Sequence, residues 1–152
     1  MEYLQVHSFD DFRAEQIFKS YCETFPEDER RSEDQFQSLF SNPNVKVFSV
    51  LKDLKNIGYL IVWELSNSVF VEHFEIFSEY RSLKYGSEII ADLFRDYSHI
   101  ILEAEPETLN NDAQRRIEFY KRNGFRIIDE QYIQPSYGEG KSPLNLWLLA
   151  NW

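Results

Sequence analysis

Residues 72–90 read EHFEIFSEYRSLKYGSEII. Here strand-forming residues run into a polar turn, and the turn opens an amphipathic helix with Gly86-Ser87 at its start. Free backbone N–H groups at such a start point outward, and the helix dipole favours negative charge, which suits a phosphate. Glycine lets a ligand approach the backbone closely. Arg81 and Lys84 can add charge-assisted contacts on a chain that is otherwise acidic. A strand, a turn with one glycine and a helix also occur where no phosphate binds, so the segment alone leaves both readings open. Four carboxylates, Glu72, Glu75, Glu103 and Glu105, fall on the strands beside this turn and could move protons.

The elements that position these groups follow from hydrophobic period. Tyr3 to His7 reads as a short strand. Asp10 opens a helix whose apolar stripe is Ala14, Ile17, Phe18, Tyr21, Cys22 and Phe25, with Pro26 as its stop. Ser32-Glu-Asp-Gln35 is a capping box for a second helix with Phe36, Leu39 and Phe40 inside. Three runs rich in Val, Ile, Phe, Tyr and Trp follow: Val45 to Lys52, Ile57 to Leu65, and Val69 to Phe77. The polar turns between them, Asp53 to Asn56 and Ser66 to Ser68, are short enough for antiparallel neighbours. Gly86 to Tyr97 carries a helical face of Ile89, Ile90, Leu93, Phe94 and Tyr97, and Ile100 to Glu105 returns as a strand. A strand, a crossover helix and a strand imply a parallel pair. Asn111 caps a last helix that ends at Asn123-Gly124. Phe125 to Gln134 and Leu144 to Trp152 close the chain as two strands. The expected fold is α+β, one domain over residues 1–152.

The segment Arg81-Ser-Leu-Lys84-Tyr85-Gly86-Ser87 resembles the Gln/Arg-x-x-Gly-x-Gly/Ala pyrophosphate loop of the GNAT acyltransferase superfamily. The aliphatic strand end Ile76 precedes the arginine as it does there, and Lys84 stands where the family has its first glycine. A second stretch, Asn111 to Phe125, resembles the family's late helix, with Phe-Tyr, a polar pair and Gly-Phe. The resemblance implies a mixed, mostly antiparallel sheet of about six to seven strands with helices on both faces. It implies that backbone groups from Phe74 to Ile76 pair with a pantetheine arm. Arg81, Ser82, Lys84, Tyr85, Gly86 and Ser87 would hold the pyrophosphate, with Asn111 and Arg116 nearby. Tyr120 matches the tyrosine that commonly lies near the CoA sulfur and acts as general acid; without the resemblance it reads as a core aromatic. The segments Leu102 to Pro106, Arg115 to Ile117 and Tyr132 to Tyr137 are similar to a bacterial subgroup of unassigned substrate.

The reaction so implied is transfer of an acetyl group from acetyl-CoA to a primary amine, without metal. A carboxylate must then take the amine proton. Glu72 is the first candidate, because Phe70, Glu72, Phe74 and Ile76 share a strand face and a lone carboxylate among apolar groups has a raised pKa. Glu72 and Glu75 are expected on opposite faces, and Glu103 and Glu105 on one; Glu105 is the second candidate. For each of them a solvated or salt-bridged role is the competing reading. His73 reads as structural. Tyr132, Gln134 and Tyr137 are candidates for the acceptor pocket, and Arg30-Arg31 read as solvated.

The 152 residues carry a net charge of −10, with 43% hydrophobic and 16% aromatic residues. The apolar fraction argues for a packed domain and the charge against nucleic acid, which requires a basic face. An acidic surface attracts cationic acceptors. Cys22 is the only cysteine and sits on the first helical stripe, so neither a disulfide nor a covalent cysteine route is expected. The N-terminal residues do not read as a secretion signal, and no run approaches the roughly 18 apolar residues of a membrane span. The expectation is a cytoplasmic monomer or homodimer without membrane contact. The alternative function is an acyl-CoA-binding regulatory module without turnover, for which Lys84 is the supporting feature.

Overall fold

The computed structural model describes residues 1–152. Strand β1 (Glu2–Val6) is followed by helices α1 (Phe12–Thr24) and α2 (Glu33–Leu39). Strands β2 (Val45–Lys52), β3 (Lys55–Glu64) and β4 (Val69–Ile76) come next, then α3 (Tyr85–Asp96), β5 (Ile100–Ala104) and α4 (Asn111–Arg122). The chain ends with β6 (Arg126–Asp129), β7 (Ile133–Gln134), β8 (Leu144–Asn145) and β9 (Trp147–Ala150). Seven strands form one sheet in the order β1-β2-β3-β4-β5-β9-β6, and β7 pairs with β8 in a separate ribbon. All neighbours are antiparallel except β4 and β5, which are parallel as the crossover helix requires.

Helices cover both faces of the sheet, each over its own core. On one side α1 and α2 bury Ile17, Tyr21 and Phe36 against Val47, Tyr59 and Ile61. On the other, α3 and α4 bury Ile89, Ile90 and Ile117 against Leu60, Val71 and Leu102. The capping box of α2 is complete: Gln35 N–H donates to the Ser32 hydroxyl, and Ser32 N–H donates to the Gln35 side chain.

Several boundaries differ from expectation. Asp11, rather than Asp10, caps α1 by accepting from Arg13 N–H. Asn110, rather than Asn111, caps α4 by accepting from Ala113 N–H at 2.8 Å. The β2–β3 turn closes on Asp53-Leu54, both with positive φ, which matches the strand twist and leaves Lys55 and Asn56 in the ladder. The two C-terminal strands are each split. Asp129 accepts from Gln131 N–H at 2.7 Å, a side-chain turn that ends β6. Leu146 N–H donates to Tyr132 O, between β8 and β9.

The feature that shapes the site is a bulge in β4. Ile61 pairs with His73 while Val62 pairs with Val71, so Glu72 is an extra residue on β4. A bulge bends its strand and re-aims side chains. Parallel pairing with β5 reaches only from Val69 to Val71, and beyond that the two strands separate. Facing changes too. Val71 and Phe74 belong to the α3/α4 core, while Glu72 meets Arg31 and Trp63 on the opposite side and His73 packs on Tyr21 and Phe25 of α1 and its C-cap. Glu72 therefore does not share a face with Phe74 and Ile76. It lies on the same side as Glu75, whose carboxylate accepts from Ser20 and Thr24 of α1. Strict alternation, assumed from sequence, fails at the extra residue.

Candidate active site

The parted ends of β4 and β5 open a cleft of about 720 Å³ that runs through the sheet. At one end stands the turn into α3. Ser82 and Lys84 both adopt left-handed backbone, with φ of 64° and 65°. Ser82, Leu83, Lys84, Tyr85 and Gly86 donate no backbone hydrogen bond inside the protein. Successive unbonded amides at a helix N-terminus form a concave donor set for an anion. Lys84 thus carries the backbone conformation for which a glycine is ordinarily selected. Gly86 also has a packing role that the sequence did not show: a Cβ there would lie 3.0 Å from Phe119 Cζ, so the missing side chain admits the Phe119 ring and lets α4 approach α3.

The strand beside this turn offers a second donor row. Phe77 N–H bonds to Ile57 O of the β3 side. Alternation therefore turns the backbone of Ile76 and Phe74 toward the gap. The Ile76 carbonyl accepts from Arg81 Nε at 2.9 Å, and the same guanidinium reaches Glu75 at 3.5 Å. Arg81 thereby ties the turn to the strand end. Lys84, Arg115 and Arg122 also line this end of the cleft. Asn111, expected among the cofactor contacts, lies outside the lining because the cap falls on Asn110 and places Asn111 on the exposed surface.

Tyr120 enters the cleft from α4 through the gap. Its residue is 7% exposed, and burial raises its pKa with no side-chain hydrogen bond acting on it. A phenol held this way stays protonated and free to donate. Arg116, one turn earlier on the same face, reaches Glu105 at 3.2 Å.

At the far end, β5 alternation turns Glu103 and Glu105 toward the α1/α2 side, where Glu29 joins them. Glu72 is not a lone carboxylate. Arg31 pairs with it at 2.6 Å and Trp63 Nε1 donates at 3.3 Å. Arg31 is correspondingly not solvated: its guanidinium lies over the Trp63 and Tyr137 rings. Arg30 instead donates to the Cys22 and Phe25 carbonyls at the end of α1. Glu103 is different. Its Oε2 is buried and unpartnered, and burial pushes its carboxyl up to about 7; hydrogen bonding from Tyr132 and Gln134 opposes the rise, and the neighbouring Glu72 and Glu29 charges add to it. Burial, then the Glu105 charge, likewise lifts Glu29 to about 7. His73 is buried with its pKa pushed down to about 4, so it stays a neutral core ring. Gln134, 6% exposed, lines the same end with its Oε1 unpartnered.

Sequence reasoning did not select Glu29 or Arg31. Each lies in the connection between α1 and α2, where no periodic pattern marks a residue as inward. No group of three His, Cys, Asp or Glu side chains is placed to hold a metal ion.

The chain matches the family model for the acetyltransferase (GNAT) family over residues 14–125. It belongs to the GNAT family. A GNAT-family protein of Bacteroides thetaiotaomicron superposes with a TM-score of 0.90 at 26% identity, covering 99% of this chain and 86% of that one. A Bacillus subtilis acetyltransferase solved in complex with CoA superposes with a TM-score of 0.66 at 10% identity, covering 98% and 96%. In Bacillus subtilis strain 168, the protein named "Putative acetyltransferase YjbC" is 26% identical over 110 residues, 72% of this chain. This GNAT chain spans only 56% of the length of YjbC.

Proposed function

We propose that this protein is an acetyl-CoA-dependent N-acetyltransferase that moves an acetyl group onto a primary amine by direct attack. The observation that carries the reading is the cleft through the parted β4 and β5. Five unbonded amides stand at one end of it, and an unpartnered carboxylate oxygen stands at the other. The left-handed turn and the amides from Ser82 to Gly86 suit the pyrophosphate of CoA, and the Phe74 and Ile76 backbone suits the amide-bearing pantetheine arm. The CoA complex of the Bacillus subtilis structural neighbour supports the same cosubstrate.

In this reading Glu103 is the base, in place of Glu72 and Glu105, which are held by Arg31 and Arg116. A carboxyl near 7 is matched to proton transfer at neutral pH. Glu103 first takes the proton that an incoming ammonium must lose and passes it to solvent. The neutral nitrogen then attacks the thioester carbonyl carbon, forming C–N as C–S breaks. Glu103 takes the surplus proton from nitrogen, and Tyr120 gives its hydroxyl proton to the departing sulfur. The proton on Glu103 returns through solvent to the Tyr120 phenolate, so the products are the amide and the free thiol. The rival reading, a binding module without turnover, loses support because Lys84 keeps the backbone shape expected of glycine.

The test compares acetyl-CoA with S-acetylpantetheine, which lacks the pyrophosphate, in thermal-shift titration and in thiol release with an amine panel. Acetyl-CoA at 100 times its Kd should stabilise the fold by about 2.7 kcal/mol. Acetylpantetheine should bind at least roughly 10²-fold more weakly, given several charge-assisted contacts. Equal binding of the two would remove the amide turn from the model. Binding without thiol release across the panel would favour the regulatory reading.

A further inference from the structure

The acceptor end of the cleft has a charge pattern that selects among amines. Its charged groups are Glu29, Glu103, Glu105 and Arg116, while Glu72 is neutralised by Arg31. Arg116 pairs with Glu105 at 3.2 Å and its charge also acts on Glu29, while neither Glu29 nor Glu103 forms an ion pair of its own. Two buried acceptor atoms, Glu103 Oε2 and Gln134 Oε1, also lack any donor. Buried polar atoms are ordinarily paired, and unpaired acceptors where three carboxylates share one arginine call for a ligand rich in donors and positive charge.

The loop beside this end bears on the size of the ligand. The loop after β7 is stapled to α2 and to the connection between α1 and α2. Gln35 donates to the Tyr137 carbonyl, Lys141 donates to the Arg30 carbonyl, and Ser142 N–H donates to Asp28 at 3.1 Å. These bonds fix the loop that follows Gln134 beside the cleft, which favours an acceptor no larger than the cleft itself.

Resting on the acetyltransferase reading, we propose that the acceptor is a small dicationic amine, a diamine or polyamine. Its reacting nitrogen is held by Glu103 and Gln134, and its second ammonium by Glu29. One end of the molecule is deprotonated for attack while the other keeps its charge and fixes the register.

Three probes of similar length separate charge from size: 1,4-diaminobutane, n-butylamine and 4-aminobutanoate, followed by thiol release at saturating acetyl-CoA. The diamine should exceed butylamine in kcat/KM by about 10- to 100-fold, the range of one hydrogen bond between charged groups. The aminobutanoate, whose carboxylate would face Glu29, should react more slowly than butylamine. Glu29→Gln keeps the side-chain shape and should bring the diamine-to-butylamine ratio close to one, with acetyl-CoA thermal stabilisation confirming that the variant is folded. Equal rates for diamine and butylamine, an unchanged ratio in Glu29→Gln, or preference for a peptide N-terminus would each overturn the dication assignment while leaving acetyl transfer intact. Absence of thiol release with every amine would instead overturn the acetyltransferase reading and this inference with it.

Discussion

Replacing Glu103 with glutamine should stabilise the protein and disable it at once. The carboxyl rises from 4.5 to about 7 on folding because burial disfavours its charged form. At about 1.4 kcal/mol per pH unit, this difference is worth at most about 3.5 kcal/mol. The sign follows from proton counts. Between those two values the folded chain holds a proton that the unfolded chain has released, so stability falls as pH rises through the window. Above pH 7 the folded chain carries a buried charge at full cost. Glutamine carries none at any pH, so Glu103→Gln should gain up to about 3.5 kcal/mol at pH 8 and almost nothing at pH 4.5. Glu29 is raised as well, so both proteins lose stability over the window; the difference between them reports Glu103 and its repulsion of Glu29. Urea unfolding at the two pH values measures this difference directly. Turnover should drop by roughly 10²- to 10⁴-fold, the usual worth of a positioned base. A variant no more stable at pH 8 than at pH 4.5, relative to the parent, would refute the burial argument. Full turnover in it would refute the assignment of Glu103 as base.

Tyr120→Phe keeps the ring and removes a hydroxyl with no protein partner, so stability should hardly move while the chemical step falls roughly 10²- to 10⁴-fold. That defect should shrink as pH rises, because a thiolate can then leave unaided; normal turnover would return Tyr120 to the core. Arg31→Ala leaves the Glu72 carboxylate, 4% exposed, without its partner and should cost about 3 to 5 kcal/mol in urea unfolding. Adding Glu72→Gln to that variant should recover most of the loss, and no recovery would show that Arg31 acts through its aromatic contacts alone. Lys84→Gly relieves a left-handed residue and should raise stability by about 0.5 to 1 kcal/mol, a Tm increase of about 2 °C. An unchanged Tm would show that the turn holds no such strain.

The sequence by itself determined what depends on neighbours within a few residues. The stripes of α3 and α4, the capping box at Ser32, and the three long strands with their short turns are all local patterns, read from period and caps. The turn from Arg81 to Ser87 was legible as a polar turn opening α3, its phosphate role only through the family resemblance, and its left-handed backbone at Ser82 and Lys84 only in the structure. Only the tertiary structure decided which groups meet. The bulge at Glu72 arises from how β4 registers against β3; it sets Phe74 and Ile76 on the face opposite Glu72, at the point where β4 and β5 part. Glu29 and Arg31 come from the connection after α1, and nothing in their own neighbourhood marks them; Gln134, a sequence candidate for the acceptor pocket, meets them only because the far end of the chain folds back beside β5. Glu103 lies on β5 and Glu105 just past its end, two residues on, yet Arg116 pairs with only one of them. The proton affinity of a carboxyl depends on which charges and how much water lie beside it, and those are fixed by residues distant in sequence.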